Sequence, residues 1–267
     1  MAMKRIFLSL VTAGLAFTQS EAAAQTIRLI AHRGGVVDET HIEHSAAGIE
    51  AAIRRGYWML EVDLRRTADG HIVVHHDPTF HRYYGDPRKV AELPWSAIAL
   101  LRSTPGGLRP LKFREFAALC KSRIRLMLDI KGPSFPPEFY QEIGQVLREH
   151  GLLQTAYVLS NNEAKAFFRG KAMLAADRNS LRTALTQGED VARHYFLFEL
   201  ADSLDEETIR WAEGLGVPVV AAVNTFRYEM RGRDHLRAAK EDIARLRRLG
   251  VTIYQIDSIY DQWLLPK

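Results

Sequence analysis

The sequence predicts an α/β protein folded as a single (β/α)8 barrel, the TIM-barrel architecture, with an insertion after its second strand. Three observations predict it. Eight short, apolar, β-rich runs alternate with helical patterns. Gly56, Gly151, Gly216 and Gly250 stand where the helical patterns should stop. Run after run also ends in a polar residue, as expected where the C-terminal strand ends of a barrel converge on one functional face.

In chain order, Ile27–Ala31 is the first strand and ends at His32-Arg33. Ser45–Arg55 carries helical spacing, and Trp58–Leu64 follows as the second strand, with Glu61 and Asp63 on it. The stretch 67–119 is too long for a simple connection and is expected to form a subdomain or lid beside the barrel mouth. Arg125–Ile130, Ala156–Leu159, Ala172–Ala176, Tyr195–Leu200, Pro218–Val223 and Thr252–Ile256 are the remaining strands. Between them lie helical patterns at Glu138–Glu149, Asn162–Phe168, Leu181–Thr186, Glu206–Leu215 and Glu241–Leu249. A doubly wound open sheet shares this alternation, and the strand count alone does not separate the two.

Residues 1–24 follow a different logic. Lys4-Arg5 precede the apolar run from Ile6 to Phe17, and the small residues Ala22-Ala23-Ala24 precede Gln25, which reads as a secretory signal peptide cleaved after Ala24. The run is too short to span a bilayer, so residues 25–267 are expected as one exported barrel domain, periplasmic or extracellular, with no stable membrane span.

Composition narrows the function classes. With 47% hydrophobic and 25% charged residues the chain can bury a core, which excludes disorder as its main state. Its 36 basic residues are interspersed with 32 acidic ones, so dedicated nucleic-acid binding is not expected. The single cysteine, Cys120, has no partner for an internal disulfide and sits in the helically spaced Phe113–Cys120, where it reads as a small packing residue.

The chemistry should lie on the first three strand ends. Glu61 and Asp63, two apart on a strand, face the same side, and Asp129 repeats the device beside Lys131. Like charges crowded into a barrel are costly unless a cation neutralises them. Three carboxylates without thiols suit a hard, oxygen-seeking divalent ion, Mg2+ or Ca2+. His32 adjoins Arg33, whose planar fork suits phosphate, and Gly34-Gly35, which permit close backbone approach. His41, His44, His71, His81, His150, His194 and His235 read as structural or surface residues, as do Ser160, Asp177 and Asn224 about as readily as functional ones.

The pattern His32-Arg33-Gly34, Glu43, Gly56, Glu61-Val62-Asp63, Thr67-Ala68-Asp69-Gly70, Val73-Val74-His75-His76-Asp77, Arg82 and Asp129-Ile130-Lys131 resembles the signature of the glycerophosphodiester phosphodiesterase family. The likeness is densest over 31–82 and 126–131 and fainter around Gly216 to Asn224 and Leu249 to Asp257. It implies a (β/α)8 barrel that hydrolyses small-molecule glycerophosphodiesters to glycerol 3-phosphate and an alcohol. It further implies one divalent cation on Glu61, Asp63 and Asp129, His32 and His76 as the acid–base pair, and Arg33 and Lys131 on the phosphate oxygens. His76 is the aligned histidine because it directly precedes Asp77.

Three departures mark this chain. The usual Pro-Glu-Asn-Thr is Ile42-Glu43-His44-Ser45, which leaves Glu43 as a residue shaping the site from behind; the usual Glu-Ile-Lys is Asp129-Ile130-Lys131; and the late Thr-Asp is Ile256-Asp257. Two rival functions remain: a lysophospholipase D or cyclising transesterase on lipid headgroups, favoured if Pro94–Leu108 forms an exposed apolar lip, and a non-catalytic phosphate-binding protein.

Overall fold

The structure is a computed structural model that describes residues 26–132 and 134–265. The expected signal segment 1–24 lies outside the described residues. Eight parallel strands close on themselves: β1 (Arg28–Ala31), β2 (Met59–Arg66), β3 (Arg125–Ile130), β4 (Tyr157–Val158), β5 (Met173–Ala176), β6 (Tyr195–Leu200), β7 (Val219–Val223) and β8 (Ile253–Ile256). Each pairs with its sequence neighbour, and β1 pairs with both β2 and β8, which closes the barrel and eliminates the open sheet.

Strand alternation divides the apolar residues into two cores. Ile30, Met59, Met127, Phe196, Val220 and Ile253 point inward and fill the barrel. Their neighbours, such as Leu29, Leu60, Leu126 and Leu128, pack outward against the covering helices. Because strands of a closed parallel barrel are buried on both faces, they read as nearly continuous apolar runs. That is why a carboxylate on one of them stands out.

The helices begin where side chains cap them. Ser45 accepts from Gly48 N at the start of Ala46–Arg54, and Asp177 and Asp205 do the same for Arg178–Thr186 and Glu206–Gly214. Asp177 is therefore a cap rather than a site residue. Ser160 Oγ accepts from Ile130 N at 2.6 Å, and Asn224 is buried against Gln255, so these polar strand ends also have structural work.

Between β2 and β3 the chain adds Ile72–Val74, antiparallel to β2, and Leu111–Lys112 beside it. Val73, Phe80, Val90, Leu93 and Ile98 form a separate small core there, with Trp95 and Leu101 packed against it. Within Pro94–Leu108 only Leu100 is a strongly exposed large apolar residue, so this stretch does not form the apolar lip that would favour a lipid-headgroup enzyme. Cys120 is fully buried in the outer core, and burial pushes its thiol up to about 12. Among the described residues no helix is long and apolar enough to cross a membrane.

Candidate active site

Strand register builds the site. β2 and β3 pair Asp63 with Asp129, so two carboxylates stand abreast, and Glu61 lies one pleat before Asp63 on the same face. Oxygens of the three approach within 4.8 Å of one another. Glu61 and Asp63 are each 1% exposed, deep enough that hydration cannot relieve their repulsion.

The electrostatics record that crowding. Burial, reinforced by Asp63, raises the Glu61 carboxyl to about 8. Burial likewise raises Asp129, with Lys131 opposing it. Asp63 goes the other way: burial would raise it, but His44 and Lys131 hold it well below the usual carboxylate range. Lys131 Nζ lies 2.5 Å from Asp129 Oδ2 and 2.9 Å from Asp63 Oδ1. Its backbone N–H donates to Leu64 O at 2.9 Å, which fixes where its side chain departs.

β1 ends at Ala31, and a short 3-10 turn carries His32 and Arg33 over the barrel mouth. Arg33 adopts a left-handed backbone, and its N–H donates to Glu61 Oε2 at 2.8 Å, so the turn is tied to the carboxylate cluster. A Cβ on Gly34 would stand 2.7 Å from the His44 ring, and one on Gly35 would stand 2.5 Å from the Gly48 backbone. The two glycines thus make room for His44 and the following helix rather than for a ligand.

His32 Nδ1 and Asp257 Oδ1 are 2.5 Å apart. The register explains this, since Ala31 pairs with Ile256 and the next residue of each strand emerges beside the other. Asp257 is itself held by Thr225 N–H at 2.6 Å. Burial alone would lower the His32 pKa, but Asp257, with Glu61, raises it above the ordinary histidine value.

His76 reaches the mouth because Ile72–Val74 runs back along β2, and His75 N–H donates to Asp63 O at 3.0 Å. The His76 carbonyl accepts from Arg65 Nε at 3.0 Å, and its Nδ1 lies 2.8 Å from Asp77 Oδ1. Burial lowers its pKa despite Asp63 and Asp77. His75 turns the other way, packs its ring at a tilt against Phe80 with centroids 4.5 Å apart and is lowered by burial to about 4, so it serves as a neutral aromatic.

Arg33 does not stand free. Glu43, buried, accepts from both Arg33 and Arg82, and Arg82 also binds Asp77 Oδ1 at 2.7 Å. One ion-pair chain therefore links the segments around His32 and His76. His44 Nε2 lies 3.2 Å from the Asp63 amide and 3.1 Å from its Oδ2. Nε2 serves one of the two at a time, accepting from the amide in one tautomer and donating toward Oδ2 in the other, and apart from the Lys131 ion pair neither buried Asp63 oxygen has a hydrogen bond of good geometry among the described residues.

The structure thus gathers His32, His76, Arg33, Lys131, Glu61, Asp63, Asp129 and Glu43 at one end of the barrel. Nothing in the sequence alone assigns a role to Asp257, Asp77 or Arg82, and His44 reads there as one of the structural or surface histidines. Asp257 had a signal, a polar residue closing the last strand, but its partner is 225 positions away and only the barrel register joins them. A cavity of about 330 Å³ opens on His32, Arg33, Glu43, Arg82 and Asp257. Larger cavities, of about 460 and 530 Å³, lie by the opposite strand ends around Arg28 and include no histidine.

Three oxygen donors, two of them buried and one of those lacking a hydrogen bond of good geometry among the described residues, fit a hard divalent cation, since Lys131 supplies one positive charge against three carboxylates.

Solved structures share the architecture. A glycerophosphoryl diester phosphodiesterase from Parabacteroides distasonis is 18% identical with a TM-score of 0.72, covering 92% of this chain and 89% of that one. A glycerophosphodiester phosphodiesterase from Agrobacterium tumefaciens is 16% identical, TM-score 0.67, covering 87% and 96%. An Oleispira antarctica phosphodiesterase in complex with the product sn-glycerol-3-phosphate is 16% identical, TM-score 0.66, covering 87% and 94%. At such identities the likeness speaks for the fold, and one fold hosts many chemistries. The family model is more discriminating: that of the glycerophosphoryl diester phosphodiesterase family matches residues 32–165, half of the chain, beginning at the histidine that closes β1 and containing the whole carboxylate cluster. The protein belongs to the glycerophosphoryl diester phosphodiesterase family of enzymes.

Proposed function

We propose that the protein hydrolyses glycerophosphodiesters to glycerol 3-phosphate and an alcohol, with one divalent cation, Mg2+ or Ca2+, held by Glu61, Asp63 and Asp129. The observation that carries this reading is the convergence of those three carboxylates with two histidines, each anchored through Nδ1 by its own aspartate. The bound product named for the Oleispira antarctica neighbour accords with it. When bound, the cation supplies positive charge against the non-bridging phosphate oxygens.

The remaining work falls to the chain. Arg33 and Lys131 bind those oxygens and neutralise the charge that builds there. Arg33 is aimed by Glu43, and its buried Nε has no partner among the described residues. Anchoring each imidazole by Nδ1 leaves Nε2 for the reaction. The lowered pKa of His76 leaves it unprotonated, so it takes the proton of the attacking oxygen, from water or from the substrate's own glycerol 2-hydroxyl. The raised pKa of His32 favours its protonated form, so it gives its proton to the departing alkoxide as the phosphorus–oxygen bond breaks.

We read residues 1–24 as an export signal and the rest as one catalytic domain, periplasmic or extracellular, with 67–119 as an accessory subdomain. His32→Ala and His76→Ala should each lower kcat by about 10²–10⁴-fold, measured as glycerol 3-phosphate released from glycerophosphoethanolamine. Either variant turning over at the parent rate would contradict the two-histidine reading.

A further inference from the structure

The cavity beside His32 has a second wall. The six-residue helix Thr225–Met230 follows β7 and presents Phe226 and Glu229, three apart on one face, to the same cavity that His32 and Arg33 line. Phe226 is 44% exposed and makes no ring or cation contact among the described residues. The other aromatic ring of the cavity, Tyr83, already faces the Arg82 guanidinium at 5.5 Å.

Glu229 is unusual among the charged groups there. His32 pairs with Asp257, and Arg33 and Arg82 both pair with Glu43. Glu229 has no ion pair or side-chain hydrogen bond among the described residues, and the nearby Arg231 is engaged by Asp202. A free carboxylate at the mouth of a site built for an anionic diester would repel it, unless the substrate also carries a positive group. An open aromatic face one helical turn away supplies the other half of an ammonium site, since ring quadrupole and carboxylate attract the same charge.

We propose that Phe226 and Glu229 form a subsite for an ammonium-bearing alcohol portion of the diester, so that the enzyme selects cationic over neutral alcohols. This rests on the proposed hydrolysis. Arg33 lines the same cavity, so phosphate and ammonium would be recognised in one pocket, the first by cations already paired and the second by Glu229, its one unpaired anion among the described residues.

The test compares glycerophosphocholine with glycerophosphoglycerol, whose alcohol is neutral. Wild type should favour the choline diester, and Glu229→Gln and Phe226→Ala should each lower the ratio of the two kcat/KM values about tenfold, chiefly through KM. Both residues are at the surface, so the variants should fold. Tetramethylammonium should inhibit wild type competitively and Glu229→Gln more weakly. An unchanged ratio in Glu229→Gln, or a wild type that prefers the neutral diester, overturns the subsite while leaving the hydrolysis intact. A ratio that falls in Phe226→Ala alone assigns the wall to an apolar alcohol and overturns it too. If neither diester is turned over with any divalent ion, the hydrolysis itself fails. The subsite is then judged by NMR line broadening of tetramethylammonium, expected with wild type and reduced by Glu229→Gln; no broadening overturns it.

Discussion

Asp257 raises the pKa of His32 against the burial that would lower it. Remove its charge and burial, the largest influence on that imidazole, acts with less opposition and drives the pKa down. Asp257→Asn should therefore lower kcat at least tenfold and move the alkaline limb of the pH–rate curve to lower pH, with KM little changed. A variant that lost rate with no displacement of that limb would reduce Asp257 to packing. The wild-type curve should be a bell whose acid limb reports His76 gaining a proton below the ordinary histidine value and whose alkaline limb reports His32 losing one above it. The sequence shows such residues unequally. Glu61 and Asp63 are conspicuous because charge interrupts an apolar strand, and His76 is told from His75 by the family resemblance, which aligns the histidine directly preceding Asp77. The duties of Asp257 and Arg82 arise from distant pairings, which local pattern does not contain.

At the level of elements, all eight barrel strands were legible, because a strand buried on both faces leaves an unbroken apolar run between turn residues. Helices were legible where apolar spacing was strong. The last long helix starts at His235, one turn and more before the pattern at Glu241, because its first turns bury only Ala238 and Ala239, small residues that give little contrast. The polar hairpin strand Asp86–Lys89 and the short helix Thr225–Met230 had no readable period at all. The turn after β1 is the element on which the site depends most. Gly35→Ala should destabilise the fold by about 1–3 kcal/mol, since its Cβ meets backbone at 2.5 Å and the residue lies at φ 149. Chemical denaturation measures this, and a midpoint unchanged from wild type would mean that the turn relaxes without cost.

For the whole molecule, the carboxylate cluster exchanges stability for function. Glu61 is raised to about 8 in the folded cation-free protein, so the folded state holds that proton more tightly than the unfolded chain. Its stabilisation is present below the ordinary carboxylate pKa and is lost as pH climbs toward 8. Two thermal melts at pH 8 follow. Cation-free Glu61→Gln should melt above cation-free wild type. A divalent ion at a hundredfold its Kd should stabilise wild type by about 2.7 kcal/mol, roughly 5–10 °C, and Glu61→Gln much less. An equal rise in both would place the ion elsewhere.

Metal-dependent hydrolysis is tested by release of glycerol 3-phosphate from glycerophosphodiesters by the protein lacking residues 1–24, with and without a chelator, beside a His32→Ala control. The chelator should abolish turnover, added Mg2+ or Ca2+ should restore it, and the control should lack it. Turnover that persists in excess chelator, or the absence of glycerol 3-phosphate with every divalent ion supplied, would contradict metal-dependent hydrolysis.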